Sequence, residues 1–273
     1  MNSAKRAPMR CLLFCACVAC ARARGGVPSG LQSEKELNHT FPSQNSFITE
    51  LISSPPDKRA FILDVGANNG AWGNRMMERC QAAAPTKHVQ LIMFEPQHRF
   101  EATLWRLVER WGANYIRAAA WTADTNITFF TMRDSRAASV NPRGGGGIER
   151  AHRNYSVPGI DFPAFLLRTL MRGDLVLLKL DVEGAEYELL PPLVASGALC
   201  SPTHLLIEWH MRSLVGATPK QTASKRQEAG RLRISLQAML ERQCRWDLSK
   251  APPIVMDHED DASTAAFVAQ SKS

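Results

Sequence analysis

Apolar runs of strand length alternate along the chain with longer stretches whose apolar residues recur at helical spacing. This alternation is typical of an α/β domain with a parallel sheet, in which each strand is followed by a crossover helix. Strands are predicted at residues 61–65, 89–94, 115–121, 125–132, 174–181 and 204–210. Helices are predicted at residues 47–53, 71–84, 98–111, 160–172 and 220–243. Two last strands are predicted at residues 245–249 and 264–269, with an acidic turn at 257–261 between them.

The first predicted strand runs into a turn that contains Gly66 and Gly70, and then into a helix. Glycine permits close approaches that a Cβ would prevent, and the helix start presents unpaired amide groups to the turn. The pattern therefore predicts a cofactor site. Asp64, at the carboxyl end of the strand, would repel a pyrophosphate but would stabilise the sulfonium and ammonium of S-adenosylmethionine. The alternative is that Asp64 caps the helix that follows.

Glu95 comes directly after the second predicted strand. An acid at this place, about 25 residues past the glycines, is positioned to accept hydrogen bonds from both hydroxyls of an adenosine ribose. The alternative is a solvated loop carboxylate. The third predicted strand contains Ala119 and Ala120, whose small side chains fit beside a flat adenine ring.

Charged residues interrupt the apolar pattern of the predicted strands at residues 174–181 and 204–210. Lys179, Asp181 and Glu183 are two residues apart, so on an extended strand their side chains point to one side. Glu208 and His210 repeat this spacing at the end of the next strand. Because open α/β sheets bind ligands at the carboxyl ends of their strands, we predict that these residues share a site. For Lys179, a local salt bridge with a carboxylate is an equally good explanation.

Two chemical roles are open for this group. In the first, His210 is a neutral imidazole with a pKa near neutrality that removes a proton from an acceptor hydroxyl, and Asp181 orients it. In the second, Asp181, Glu208 and His210 bind a magnesium or manganese ion that lowers the pKa of the acceptor. Both roles predict that the reacting oxygen lies beside these residues.

Four motifs carry a specific resemblance to a known family. They are Leu-Asp-Val-Gly-Ala-Asn-Asn-Gly, Phe-Glu-Pro, Lys-Leu-Asp-Val-Glu-Gly-Ala-Glu and Ile-Glu-Trp-His, between residues 61 and 210. In this order and spacing they resemble the FkbM-type family of S-adenosylmethionine-dependent methyltransferases, which includes enzymes that methylate hydroxyl groups of sugars and other natural products. The chain departs from the family pattern at Trp209, where a smaller aromatic residue is common, and at an insert of residues 133–153.

The resemblance implies a Rossmann-like class I methyltransferase fold. Such a fold has a mostly parallel seven-stranded sheet, helices on both faces and an antiparallel last strand. The family's cofactor residues map onto Asp64, Gly66, Asn68, Gly70 and Glu95, and its second signature maps onto Lys179, Asp181, Glu183, Gly184 and Glu186.

The composition supports one large domain, predicted at residues 47–273, because a chain of 273 residues that is 45% hydrophobic can bury a full core. The net charge is +7, but four basic residues lie in the first 23 positions, where no acid balances them. A chain that begins at Arg24 carries only +3. This charge is too small to indicate a nucleic-acid partner.

Residues 1–23 predict a secretory signal peptide, with a basic start, an apolar run at 11–21 and small residues suited to cleavage. The run is shorter than the ~20 residues of a membrane-spanning helix, and no later stretch is a candidate span. An uncleaved anchor and an organelle transit peptide are the alternatives. Residues 24–46 are predicted to form a flexible stem. Glycosylation sequons at Asn38, Asn126 and Asn154 fit a chain in the lumen of the secretory pathway or outside the cell.

Removal of the signal peptide would leave three cysteines, Cys80, Cys200 and Cys244. One interpretation is a Cys200–Cys244 bridge with Cys80 as a buried thiol, and the other is three free thiols. The insert at residues 133–153 holds four consecutive glycines and five arginines, which predict a mobile basic loop. It is either a lid that recruits an anionic or polyhydroxylated acceptor or a surface insert without that role.

The resulting hypothesis is an O-methyltransferase of the secretory pathway that acts on a sugar, a glycan or a similar polyhydroxylated acceptor. One rival is a nicotinamide-dependent oxidoreductase, which Asp64 disfavours, as does Asn68 in the place of a fingerprint glycine. The other rival is a catalytically silent domain of the same fold that binds glycans or a partner.

Overall fold

The computed structural model describes residues 42–131, 138–140, 153–244 and 254–259 of the chain. Helices and strands alternate up to residue 116 and again from residue 162, as the apolar pattern predicts, whereas the elements described between residues 114 and 161 are all strands. The helices are α1 (Pro42–Ser53), α2 (Ala71–Ala83), α3 (Glu101–Trp111), α4 (Phe162–Thr169), α5 (Glu186–Ala195) and α6 (Pro219–Cys244). The strands are β1 (Ala60–Val65), β2 (Val89–Phe94), β3 (Asn114–Ile116), β4 (Ala119–Trp121), β5 (Thr125–Thr131), β6 (Ala138–Ser139), β7 (Arg153–Asp161), β8 (Leu175–Leu180), β9 (His204–Trp209) and β10 (Ile254–Glu259).

Six of these strands form a sheet in the order β10-β9-β8-β1-β2-β3, and every pairing in it is parallel. The prediction of an α/β fold with a mostly parallel sheet is confirmed. All residues of β1 and β8 are buried, which parallel strands require when helices cover both faces of the sheet. The strand order reverses direction beside β1, which has β2 on one side and β8 on the other. Ligands of open α/β sheets bind at such a switch point.

Side-chain alternation along the strands divides the core into two layers. On β1, Leu63 and Val65 pack in one layer, with apolar residues of α4, α5 and α6. Ile62 packs in the other layer, with apolar residues of α1, α2 and α3. Three of the described helices therefore cover each face of the sheet.

A second sheet has the strand order β4-β7-β5-β6. In it β4 pairs parallel with β7, and the remaining pairings are antiparallel. The predicted continuous strand at residues 115–121 is wrong, because a tight turn at Ala118, whose amide donates to the Ile116 carbonyl, separates β3 from β4. The predicted helix start at residue 160 is also wrong. Asp161 caps α4 by accepting from the amide of Ala164 at 2.9 Å, so the residues before it are free to extend β7.

Other boundaries differ from the predictions at the two ends of the described chain. The helix α1 begins at Pro42, so residues 42–46 are helical and are not part of a stem. Residues 257–259 belong to β10, which pairs parallel with β9, and do not form a turn. The predicted strands at 245–249 and 264–269 lie outside the described residues, so a seventh, antiparallel strand stays a prediction. The signal peptide and most of the 133–153 insert also lie outside them.

A disulfide joins Cys200 to Cys244, at the end of α6, and Cys80 is a buried free thiol. This is the first of the two interpretations of the cysteines. Burial raises the pKa of the Cys80 thiol to about 11, which makes it a poor nucleophile. In the ranges that the structure describes, no helix is long and apolar enough to cross a membrane.

Candidate functional site

A pocket with an empty volume of about 560 Å³ opens at the carboxyl ends of the parallel strands. This volume includes space that is open to solvent. The main sheet contributes the turn after β1, the end of β2 and the loop after β8, and the second sheet contributes a wall. Lining residues from the main sheet include Gly66, Asn68, Glu95, Asp181 and Glu183, and those from the second sheet include Ala119, Ala120, Trp121 and Phe129.

The glycine turn brings β1 against the loop after β8. Gly66 has φ +84°, and a Cβ on it would lie 1.7 Å from the backbone oxygen of Asp181. Asn68 also has a positive φ, at +52°, and its amide points to Glu95. Gly70 is different, because a Cβ there would lie 2.4 Å from a methyl group of Leu107 on α3. Gly66 and Asn68 thus line the pocket, whereas Gly70 faces the helix layer.

Asp64 is fully buried beneath the turn and is not part of the pocket lining. Its Oδ2 accepts from the amide of Gly73 in the first turn of α2 at 3.2 Å, and its Oδ1 lies 3.5 Å from Nζ of Lys179. Burial raises the pKa of Asp64, and the ammonium of Lys179 opposes this rise. The helix contact matches the capping alternative, while a role of Asp64 at the cofactor stays a prediction.

Glu95 is 3% exposed and lies on the floor of the pocket. Its Oε2 accepts from the amide of Asn68 at 2.8 Å, and its Oε1 accepts from the amide of Gln97 at 2.8 Å. Burial raises its pKa to about 7, although both backbone hydrogen bonds lower it. Each carboxylate oxygen has a second lone pair, so Glu95 can accept further hydrogen bonds from a ligand.

Ala120 is 3% exposed and lines the pocket together with Ala118 and Ala119. Phe129 of β5 also lines it. These residues form an apolar wall next to Glu95, which suits a flat ring.

Lys179 is buried and is held by two acids. Its Nζ lies 2.6 Å from Oδ2 of Asp181 and 3.5 Å from Oδ1 of Asp64. Burial alone would lower the pKa of Lys179, but the carboxylates of Asp181, Asp64 and Glu208 outweigh burial and raise it. Lys179 therefore stays an ammonium at neutral pH, and the salt-bridge explanation of this residue matches its contacts.

His210 lies directly after β9 and is surrounded by acids. Its Nε2 is 3.7 Å from Oδ1 of Asp181, 3.7 Å from Oε2 of Glu183 and 3.8 Å from Oε1 of Glu208. Its Nδ1 is 2.9 Å from Oε1 of Glu186. The structure therefore brings together the predicted residues Asp181, Glu208 and His210.

Two parts of the predicted acid–base role are corrected by these contacts. Burial alone would lower the pKa of His210, but Glu186, Asp181 and Glu183 raise it well above its ordinary 6.5. This direction of the shift favours the protonated imidazole over the neutral base of the prediction. The residue that orients the ring is Glu186, since it alone is within hydrogen-bond distance among the acids around His210.

Glu186 is the site residue to which the sequence assigned no role. It is fully buried at the start of α5, and its two oxygens accept from the amides of Val182 and Gly184, both at 2.9 Å. It therefore fixes the loop that carries Glu183 as well as the ring of His210. The second signature of the family contains Glu186, but its contact with His210 spans 24 residues and is tertiary.

The potential metal ligands that the structure groups together differ by one residue from the predicted set of Asp181, Glu208 and His210. The ligand atoms of Asp181, Glu183 and His210 all lie within 4.8 Å of one another. Glu183 thus joins this set, and Glu208 lies beside it at 3.8 Å from Nε2 of His210.

A family model described as the methyltransferase FkbM domain matches residues 64–229. The matched range is more than half of the chain and contains every residue of the pocket and of the His210 group. Searches among curated proteins and among solved structures returned no significant match.

Proposed function

Since this chain belongs to the FkbM methyltransferase domain family, we propose that it transfers a methyl group from S-adenosylmethionine to a hydroxyl of a polyhydroxylated acceptor, such as a sugar or a glycan. The observation that carries the proposal is the pairing of Glu95 with the glycine turn. The two oxygens of Glu95 accept hydrogen bonds from the backbone amides of Asn68 and Gln97, both at 2.8 Å. A carboxylate held in this way is suited to accept both ribose hydroxyls of an adenosine.

The remaining pocket residues support the same ligand. Ala118, Ala119 and Ala120 leave room for an adenine ring beside Glu95. Asp181 and Glu183 line the other part of the pocket, where their negative charge suits cationic groups of a ligand. A nicotinamide dinucleotide would instead bring its pyrophosphate towards these acids.

When bound, S-adenosylmethionine would supply a methyl group on a sulfonium, which an acceptor oxygen takes in line as the bond from carbon to sulfur breaks. The protein then has to hold the acceptor oxygen and accept its proton. The group of Asp181, Glu183, Glu208 and His210 lies beside the pocket and offers both functions.

Calorimetry with the purified chain tests the proposal. S-adenosylmethionine should bind, and Glu95→Ala should weaken binding by about 1.5 to 3 kcal/mol, the range for hydrogen bonds to a charged group. Glu109→Ala, which removes an exposed acid on α3, is the matched control and should leave binding unchanged. Wild-type protein that binds NAD and not S-adenosylmethionine would overturn the proposal.

We further propose that the protein acts in the lumen of the secretory pathway or outside the cell. Besides the predicted signal peptide, the Cys200–Cys244 disulfide supports this location, since disulfides persist in oxidising compartments.

A further inference from the structure

Three polar atoms of the His210 group converge on one point at the edge of the parallel sheet. One oxygen each of Asp181 and Glu183 and one nitrogen of His210 lie within 4.8 Å of one another. Ligands of an octahedral cation at about 2.1 Å are about 3 to 4 Å apart. Small side-chain rotations would therefore place all three atoms on one ion.

The orientation of His210 distinguishes this group from a cluster of surface acids. Its side chain is only 6% exposed, and its Nδ1 is held by the fully buried Glu186 at 2.9 Å. Its Nε2 points towards the group, where the oxygens of Asp181 and Glu183 both lie 3.7 Å away, beyond hydrogen-bond distance. Histidine ligands of metals characteristically give their second nitrogen to a carboxylate, which fixes the ring and directs the other nitrogen to the ion.

The two carboxylates are held in place as well. Asp181 directs Oδ2 to Lys179 at 2.6 Å and Oδ1 towards His210. Glu183 has φ +54°, an uncommon conformation for a residue with a Cβ, and the loop around it is fixed by the carboxylate of Glu186. The three candidate ligands are therefore arranged before any ion binds.

Asp181 and Glu183 also line the pocket that contains Glu95. An ion held by them and by His210 would keep its other coordination positions open towards this pocket. Three protein ligands on an octahedral ion leave three such positions, enough for two oxygens of a ligand.

We propose that Asp181, Glu183 and His210 bind a divalent cation of the Mn²⁺ type, on which two neighbouring oxygens of the methyl acceptor chelate. Two carboxylates with one imidazole suit Mn²⁺, since Mg²⁺ prefers oxygen ligands alone and Zn²⁺ prefers more nitrogen or sulfur. The acceptor part of this inference rests on the proposed methyl transfer, while the cation site itself does not. It defines the acceptor class as molecules with adjacent oxygens, such as vicinal diols.

With the cation bound, the acceptor hydroxyl would have a lowered pKa and would give its proton to Glu208, the carboxylate of the group that is not a cation ligand. The oxygen then forms its bond to the methyl carbon as the bond from that carbon to sulfur breaks. The second acceptor oxygen stays on the cation and fixes the orientation of the first. The products are a methyl ether, a neutral thioether and the transferred proton.

The cation site is tested on the purified full chain without cofactor or acceptor. Electron paramagnetic resonance of added Mn²⁺ should show one bound ion per chain. His210→Gln and Glu183→Gln should each weaken binding at least about 10-fold. Asp57→Asn, which removes an exposed acid before β1, is the matched control and should bind Mn²⁺ like the wild type. Circular dichroism confirms that each variant is folded. Wild-type protein that binds no Mn²⁺, or variants that bind it unchanged, would overturn the site.

The open positions are tested with 4-nitrocatechol, whose absorption shifts when its two adjacent oxygens chelate a metal. The Mn²⁺-loaded wild type should produce this shift, and His210→Gln should not. The probe 4-nitrophenol, which lacks the second oxygen, should give no comparable shift. Equal responses to both probes would overturn the chelation of two oxygens.

The same protein samples distinguish this inference from the proposed function. S-adenosylmethionine should bind to His210→Gln with wild-type affinity, because His210 does not line the cofactor pocket. Binding of S-adenosylmethionine without Mn²⁺ would overturn only the cation site. Binding of Mn²⁺ without S-adenosylmethionine would overturn only the methyltransferase assignment.

Discussion

Glu95 combines burial with two backbone hydrogen bonds, and the balance between them sets its pKa at about 7. Folding raises this pKa from 4.5, so the contribution of Glu95 to stability is complete below pH 4.5 and is lost as the pH rises through 7. Near neutral pH, the pocket therefore holds a mixture of protonated and ionised Glu95.

We expect S-adenosylhomocysteine to bind more weakly as the pH falls through 7, because a protonated Glu95 must lose its proton before it accepts two ribose hydroxyls. Well below pH 7 the loss should approach about tenfold per pH unit, the limit for one released proton. Calorimetry between about pH 5.5 and 8.5 measures this dependence. Glu95→Gln, which does not titrate, should show a flatter profile, and identical profiles would contradict the prediction.

Substitution of Gly66 tests the close approach of the turn after β1 to the loop after β8, and Gly112 is the matched control. Both have positive φ, at +84° and +64°, but a Cβ on Gly66 would lie 1.7 Å from a backbone oxygen, whereas a Cβ on Gly112 meets nothing within 4 Å. Gly112→Ala should cost about 1 kcal/mol, the strain of a left-handed residue. Gly66→Ala should cost about 3 kcal/mol more, since backbone cannot rotate away. Urea unfolding measures both, and equal costs would show that the Gly66 contact relaxes.

At the scale of single residues, the sequence predicted which side chains share a site, but not which hydrogen bonds and ion pairs they form there. Asp181, Glu208 and His210 lie together because strand ends of a parallel sheet share one edge, which follows from chain order alone. The link from Glu186 to His210 depends on how α5 packs on the sheet, and the raised pKa of His210 depends on that link. Neither is visible in residue spacing.

Among the structural elements, the buried parallel strands were the most predictable. Residues 89–94 form a strand as predicted, and β8 is one residue shorter at each end than the predicted strand 174–181. Such strands are predictable because an almost wholly apolar run is typical of a parallel strand that is buried on both faces of the sheet. The strand β7 was missed because its alternation of apolar Tyr155 and Val157 with polar residues is short and runs directly into Pro158 and Gly159, which are typical of turns. In the structure, the backbone of β7 pairs antiparallel with β5 along residues 153–159.

The disulfide ties the end of α6 to the turn before β9, and it closes a loop with a sequence separation of 44. A cross-link over a loop of this length stabilises a fold by about 4 kcal/mol in the chain-entropy model. The double variant Cys200→Ser with Cys244→Ser should therefore lose roughly this amount in urea unfolding. Reductant should destabilise the wild type and leave the double variant unchanged, and an effect of reductant on both would contradict this origin.

For the whole molecule, the location of the protein is open to a direct test. If the signal peptide is cleaved, mature protein from the native host should begin near Arg22 or Arg24 and carry a glycan at Asn38. N-terminal sequencing and glycosidase treatment measure both. An intact, unglycosylated protein that begins at Met1 would contradict the proposed route.

The pocket is built by two sheets with separate tasks. The parallel sheet supplies Glu95, Asp181 and Glu183 at the carboxyl ends of its strands, while the second sheet supplies Trp121 and Phe129 of the wall. Within the described residues these two aromatic side chains take no part in the acid group around His210. Changes in the second sheet can therefore alter what the pocket admits while the parallel sheet keeps its chemistry. A substitution in this wall would change the fit of a flat ring that lies against it, without altering the acids at the carboxyl ends of the parallel strands.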